Sequence, residues 1–286
     1  HELVVAMILL AVGVVVAHPP IVAQALETPP ADAPPVLPFL FIIIACGAIS
    51  GFHSLVSSGT SSKQCRSEKD AIFIGYGSML MEAVLATLVI AAVAGGLGMG
   101  LNVDGKLLTG AEAFRRQYAT WAGAESGALG AFVTGASNMI CAVRLGDYQI
   151  DQTFAMAVIA VFIVSFAGTT VDTATRIQRY VIVELAGALK LKFLTRRQIA
   201  TVVAVLTACI LVFYDRKNPG TGAMVLWPLF GCLNQLLAGL ALLVVTIYLA
   251  RRRVNCLYTL IPMIFMIGMT GWAMLCLLYT SPSPRD

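Results

Sequence analysis

Charge is what this sequence has least of. Only 12% of its 286 residues are charged while 58% are hydrophobic, where a soluble globular domain carries roughly 25% charged residues. That balance excludes a soluble domain. The net charge of +4 is small and sits between apolar runs, which argues against a nucleic-acid partner. Histidine is nearly absent: His1, His18 and His53 lie far apart, so a histidine metal site has no support. The seven cysteines form no CxxC pair, so neither a disulfide framework nor a metal spacing is present. Walker A, GxSxG and HExxH patterns are missing too, which removes support for an ATP-driven pump or a membrane hydrolase. Nothing calls for a cofactor. The apolar runs are continuous rather than alternating, which excludes a transmembrane barrel.

What is present is a series of long apolar stretches, several near the roughly 20 residues that cross a bilayer. The reading is an all-α, polytopic transmembrane helical bundle with about 7–8 membrane segments, some broken or re-entrant. Residues 1–278 form one transmembrane domain. Residues 279–286, ending Ser281-Pro282-Ser283-Pro284-Arg285-Asp286, read as a non-native tail. The start at His1, already inside an apolar run, reads as the interior of a longer chain. The expected spans are 3–17, 36–56, 71–95, 153–170, 199–214, 225–250 and 257–278. Residues 57–70 are expected as a polar loop and 111–121 as an interfacial amphipathic helix with Arg115 and Arg116. Residues 127–143, rich in Gly, Ala, Ser and Thr, are expected to be re-entrant or broken. An amphipathic stretch, 171–191, follows the span at 153–170, and a turn-rich loop covers 215–222.

Basic clusters set an orientation. Loops 190–197 and 251–253 are expected to be cytoplasmic under the positive-inside bias. If 127–143 is re-entrant, Lys63, Arg66 and Lys69 join them on that side and the Pro-rich loop 27–35 is external.

Polar residues inside the apolar runs are the candidate functional groups. Glu82 lies near the middle of the 71–95 span, where insertion of a charged residue costs about 2.5 to 3.5 kcal/mol. An ionised carboxylate there needs a partner or a proton. Ser78 and Gly75, four and seven residues earlier, share its face. Ser165, Thr169 and Asp172 stand at spacings of four and three, one helical face whose oxygens suit a small hard cation. Residues 46–60 carry Ser50, His53, Ser54, Ser57, Ser58 and Thr60, punctuated by Gly47, Gly51 and Gly59. A helix that turns polar partway is a device for building a site at membrane depth. Finally, Pro228 and Gly231 can bend a helix just before Asn234 and Gln235, whose amides serve equally as interhelical glue or as substrate contacts.

Several of these stretches together resemble one family. The FLFIIIACGAISGFHSLVSSGT run at 39–60, the IGYGSMLME run at 74–82 and the LWPLFGCLNQLLAGLA run at 226–241 closely resemble signatures of the carbon starvation CstA family. A looser likeness covers 166–176, with Asp172, Thr175 and Arg176. The resemblance implies a multi-pass transporter of the prokaryotic inner membrane, induced in nutrient starvation. It implies uptake of peptides or of small carboxylates such as pyruvate, coupled to protons or another cation such as sodium. It also implies a LeuT/APC-like fold with broken helices. On that reading Glu82 and His53 are proton-coupling candidates, and Ser165, Thr169 and Asp172 a cation site. Ser57, Ser58, Thr60, Asn234 and Gln235 line the substrate path. The competing class is a starvation-responsive sensor or channel-like component without coupled transport.

Overall fold

The computed structural model describes residues 2–26, 28–103, 105–145, 148–213 and 227–280. Almost all of them are helical. The helices are α1 (Glu2–Ala17), α2 (Phe41–Ala48), α3 (Gly51–Val56), α4 (Ser62–Gln64), α5 (Asp70–Ala94), α6 (Gly110–Gln117), α7 (Trp121–Cys141), α8 (Gln152–Ala188), α9 (Arg197–Val212), α10 (Trp227–Arg251) and α11 (Leu257–Thr280). Among the described residues five stretches are long and apolar enough to cross a membrane: Val36–Gln64, Asp70–Met99, Gln152–Ala188, Trp227–Arg251 and Leu257–Tyr279. Leu3–Ala17 and Arg197–Val212 are shorter apolar helices. This is the make-up of an all-α membrane protein.

The chain forms two compact units. The first comprises residues 1–33 and 66–171. Its core joins Leu10 of α1, Leu88 and Ala92 of α5, Phe132, Met139 and Ile140 of α7, and Ile159 of α8. Small residues let α5 and α7 touch backbone to backbone: a Cβ on Gly135 would strike the Ala92 carbonyl, and one on Gly96 would strike the Gly135 carbonyl. Such small-residue contacts are how helices approach closely where apolar burial gives no drive. Asn138 Nδ2 donates to the carbonyls of Gly96 (3.0 Å) and Gly100 (2.8 Å), satisfying acceptors that the end of α5 leaves open. Two short antiparallel pairs, Leu101–Val103 with Lys106–Leu108 and Arg144–Leu145 with Tyr148–Gln149, were not legible in the sequence. The first turns through Gly105 at φ +81°, a conformation glycine adopts without penalty.

The second unit comprises residues 34–65 and 172–286. Its α10 and α11 run antiparallel. Thr246 Oγ1 donates to Thr259 Oγ1 at 2.8 Å, and Gly239 lies against Ile267. A small core of Ile42, Cys232 and Ala273 joins α2 to this pair, and Phe41 meets Phe265 edge to face at 5.5 Å.

Four expectations change. Residues 57–64 are not loop but helix, passing through a π-helical turn at Ser57–Ser61 into α4. The hydroxyls explain why: Ser57 and Ser58 donate to the Ser54 carbonyl and Thr60 to that of Val56, so this polar run satisfies itself within a helix. Residues 127–143 are not broken. They belong to the 21-residue α7, which is continuous because its glycines serve close packing rather than a turn. The span at 153–170 and the amphipathic stretch after it are one 37-residue helix, α8. Nor does α10 break at Pro228 and Gly231. Pro228 sits in the first described turn, where its missing N–H is tolerated. The expected loop at 215–222 and the tail from 281 lie outside the described residues.

Candidate functional site

The main irregularity in the second unit lies between α2 and α3. The helix that starts at Phe41 stops at Ala48, Ser50 is extended (φ −117°, ψ 122°), and helix resumes at Gly51. A break inside a span of mean hydropathy 2.1 leaves N–H and carbonyl groups that lipid cannot satisfy. Two neighbouring amides of α10 take them up. Asn234 Oδ1 accepts from the Phe52 N–H at 2.7 Å and from the Ser50 hydroxyl at 3.3 Å. Its Nδ2 donates to Cys46 Sγ at 2.8 Å. Gln235 Nε2 donates to the Ile49 carbonyl at 2.9 Å. One amide therefore caps the helix that begins, and the other caps the strand of backbone that precedes it.

Gly51 makes this clamp possible. A Cβ there would collide with the Asn234 carbonyl and stand 2.6 Å from the Ala238 nitrogen. No flexible side chain can yield to relieve that, because the obstacles are backbone. The break is thus pressed directly onto α10.

Asn234 is 5% exposed and Gln235 fully buried. Among the described residues Gln235 Oε1 has no hydrogen-bond partner, and the same is true of the Thr270 hydroxyl on α11. The register fixed by Thr246–Thr259 and Gly239–Ile267 brings Gln235 level with Thr270 on the facing helix. A buried amide oxygen and a buried hydroxyl without partners each carry about 1–3 kcal/mol of desolvation penalty. At one level beside a helix break, they are groups poised for a polar guest.

The other candidate residues fall elsewhere. His53 is exposed on α3, with its ring 6.3 Å from that of Phe52. Ser57 and Ser58 are exposed while Thr60 is buried, all three turned back onto their own helix. Glu82 is exposed on α5 and makes no hydrogen bond or ion pair among the described residues. Ser165, Thr169 and Asp172 share a face of α8; Thr169 Oγ1 donates to the Ser165 carbonyl at 2.7 Å, and Asp172 pairs with Arg176 at 2.7 Å. The structure therefore gathers Asn234 and Gln235 at the break, together with Cys46 and Ser50, and buries the unpartnered Thr270 on the facing helix. Cys46 and Thr270 were missed as site residues. A hydroxyl in the apolar run of 257–278 was the available signal for Thr270.

The family model described as "Carbon starvation protein CstA" matches residues 1–273. The "Peptide transporter CstA" of Helicobacter pylori strain J99 is 32% identical over 278 residues, covering 85% of this chain and 40% of its own length. That of Escherichia coli K12 is 30% identical over 310 residues, covering 94% and 43%. The "Pyruvate/proton symporter BtsT" of Escherichia coli K12 is 30% identical over 330 residues, covering 96% and 46%. The chain thus spans less than half the length of these relatives. No solved structure matches it. On the extent of the family match and these relatives together, the chain belongs to the carbon starvation protein CstA family.

Proposed function

We propose that the protein is a secondary active transporter of the prokaryotic inner membrane, importing peptides or small carboxylates such as pyruvate during nutrient starvation. The observation that carries this reading is the break at Ile49–Ser50, held by Asn234 and Gln235, with the buried oxygens of Gln235 and Thr270 unpartnered among the described residues. Broken helices at membrane depth present polar groups to substrate while neighbouring helices satisfy the freed backbone. The names of the relatives, peptide transporter and pyruvate/proton symporter, support the substrate class and a proton as the coupling ion. A sodium ion is the other coupling candidate. Asn234 and Gln235 position the break, and Ser57, Ser58 and Thr60 continue the path along the same helix. Ser165, Thr169 and Asp172 are the candidate cation site, with Asp172 exchanging Arg176 for the ion. Glu82 and His53 carry the proton. The remaining segments of the proposed 7–8 would be the two shorter apolar helices and α7, in a LeuT/APC-like arrangement.

The test is uptake of labelled pyruvate and of a labelled dipeptide into proteoliposomes, with pH and sodium gradients imposed separately. Concentrative uptake driven by the pH gradient is expected, and Glu82→Gln should abolish it while expression persists. Flux that equilibrates without concentrating substrate would instead establish a channel-like component. Uptake unchanged in Glu82→Gln would remove Glu82 from coupling.

A further inference from the structure

Away from the helix break, the second unit holds a cavity of about 560 Å³ between the later half of α8 and the start of α9. Its walls carry three guanidiniums, Arg176, Arg179 and Arg197, against the single carboxylate of Asp172. That carboxylate is already paired with Arg176 at 2.7 Å. Arg179 lies over the Tyr180 ring at 5.3 Å, and Lys63 approaches the same ring at 6.0 Å. These cation–π contacts hold two positive charges around one edge of the cavity. Arg197 has no carboxylate partner among the described residues. It opens α9, whose first turn holds no acidic residue. A cation in that position opposes the helix dipole. The positive charge gathered here thus exceeds what the described residues neutralise.

We propose that this cavity binds the phosphate of an anionic phospholipid headgroup. Several donors converging from two helices match the many acceptor oxygens of a phosphate, and arginine is the side chain suited to that geometry. The surroundings favour a lipid as the source of the phosphate over a soluble ion. The cavity has apolar surface of its own: Val183 and the half-exposed ring of Tyr180 line it beside the arginines. They give an acyl chain apolar contact within a basic pocket. Basic pockets beside membrane helices recognise anionic lipids in this way, each Lys or Arg adding about 1 kcal/mol near the surface. The cavity shares Asp172 with the proposed cation site, but the lipid measurements below read no transport, so failure of this inference and failure of that reading are told apart.

The experiment uses the purified chain in zwitterionic detergent, titrated with phosphatidylglycerol, with phosphatidylcholine, and with inorganic phosphate alone. Native mass spectrometry reads retained lipid, and thermal unfolding reads stabilisation. Phosphatidylglycerol should be retained and should stabilise, phosphatidylcholine should not, and phosphate alone should have little effect. Arg179→Gln with Arg197→Gln should weaken phosphatidylglycerol binding about 25-fold, or about fivefold per arginine at ~1 kcal/mol each. The pair Arg251→Gln with Arg252→Gln, at the end of α10, should leave binding unchanged. Unfolding of each variant without lipid shows whether it is folded. Equal retention of phosphatidylglycerol by the Arg179/Arg197 variant and the wild type would overturn the site. So would equal binding of phosphatidylcholine. Full stabilisation by phosphate alone would assign the pocket to soluble phosphate and overturn the lipid.

Discussion

Gln235 and Thr270 make a single-residue contrast. Each buries a polar atom without a partner, yet Gln235 Nε2 also holds the Ile49 carbonyl. Thr270 has no such second duty among the described hydrogen bonds. Thr270→Val keeps the shape of the side chain and removes the unpartnered hydroxyl. It should therefore leave thermal stability in detergent unchanged or raise it, by up to about 1–3 kcal/mol, while lowering substrate uptake. A stabilised variant with wild-type uptake would show that the hydroxyl faces no guest. A destabilised one would show that it already has a partner. Asn234 and Gln235 were visible in the sequence because paired amides inside an apolar run are uncommon there. Their partners were not. Ser50 and Cys46 are separated from Asn234 by 184 and 188 positions, and no local pattern encodes which backbone a buried amide will cap. The same distance hid the role of Gly51, whose neighbours belong to α10.

Among elements, the existence of the long helices was legible and their interruptions were not. Apolar length alone set α5, α10 and α11 almost to the residue, since nothing else in the chain can satisfy backbone groups in lipid. Glycine content was a poorer guide. It suggested a break in 127–143, where glycines allow α7 to touch α5, and it did not single out Ile49–Ser50. The start of α7 shows how a loop residue can fix a helix. Asp32, in the Pro-rich segment, accepts from the Trp121 N–H at 3.0 Å and from the Ala122 N–H at 3.3 Å. Thr120 Oγ1 accepts from the Gly123 N–H at 3.1 Å. The Trp121 hydrogen bond, with that from Ala122, holds the exposed Asp32 carboxyl below its ordinary value. A depressed folded-state pKa means the contribution is present above the unfolded value, near 3.9, and is lost as pH falls through the folded one. Asp32→Ala should accelerate hydrogen exchange at Trp121 and Ala122 at neutral pH. Wild type and variant, compared at equal pH, should converge once the pH drops below the usual carboxylate range. Protection of both amides surviving in Asp32→Ala would show that Thr120 alone secures the helix.

At the scale of the whole molecule, sidedness ties the pieces together. Lys63, at the end of the broken helix, stands 6.0 Å from the Tyr180 ring, and Tyr180 lines the cavity that Arg197 also lines. The positive-inside bias predicts that these basic residues share one membrane face. Between Lys63 and Tyr180 the chain passes through α5, α7 and α8, so a common face requires an even number of crossings. α5 and the apolar part of α8 supply two, so a common face requires that α7, one continuous helix, does not cross. The 21 residues of α7 reach about 31 Å at 1.5 Å per residue, enough to cross, so its length does not decide the matter. Its start is held by Asp32, and its last turns are seated on Gly96 and Gly100 just past the end of α5. Native lysines report the answer without mutation. Lys106, in the hairpin after α5, should react with a membrane-impermeant amine reagent added to intact cells. Lys63, Lys69, Lys190 and Lys192 should react in inside-out vesicles, as the positive-inside bias requires. Labelling of Lys190 and Lys192 on the side opposite Lys63 and Lys69 would make α7 a full crossing.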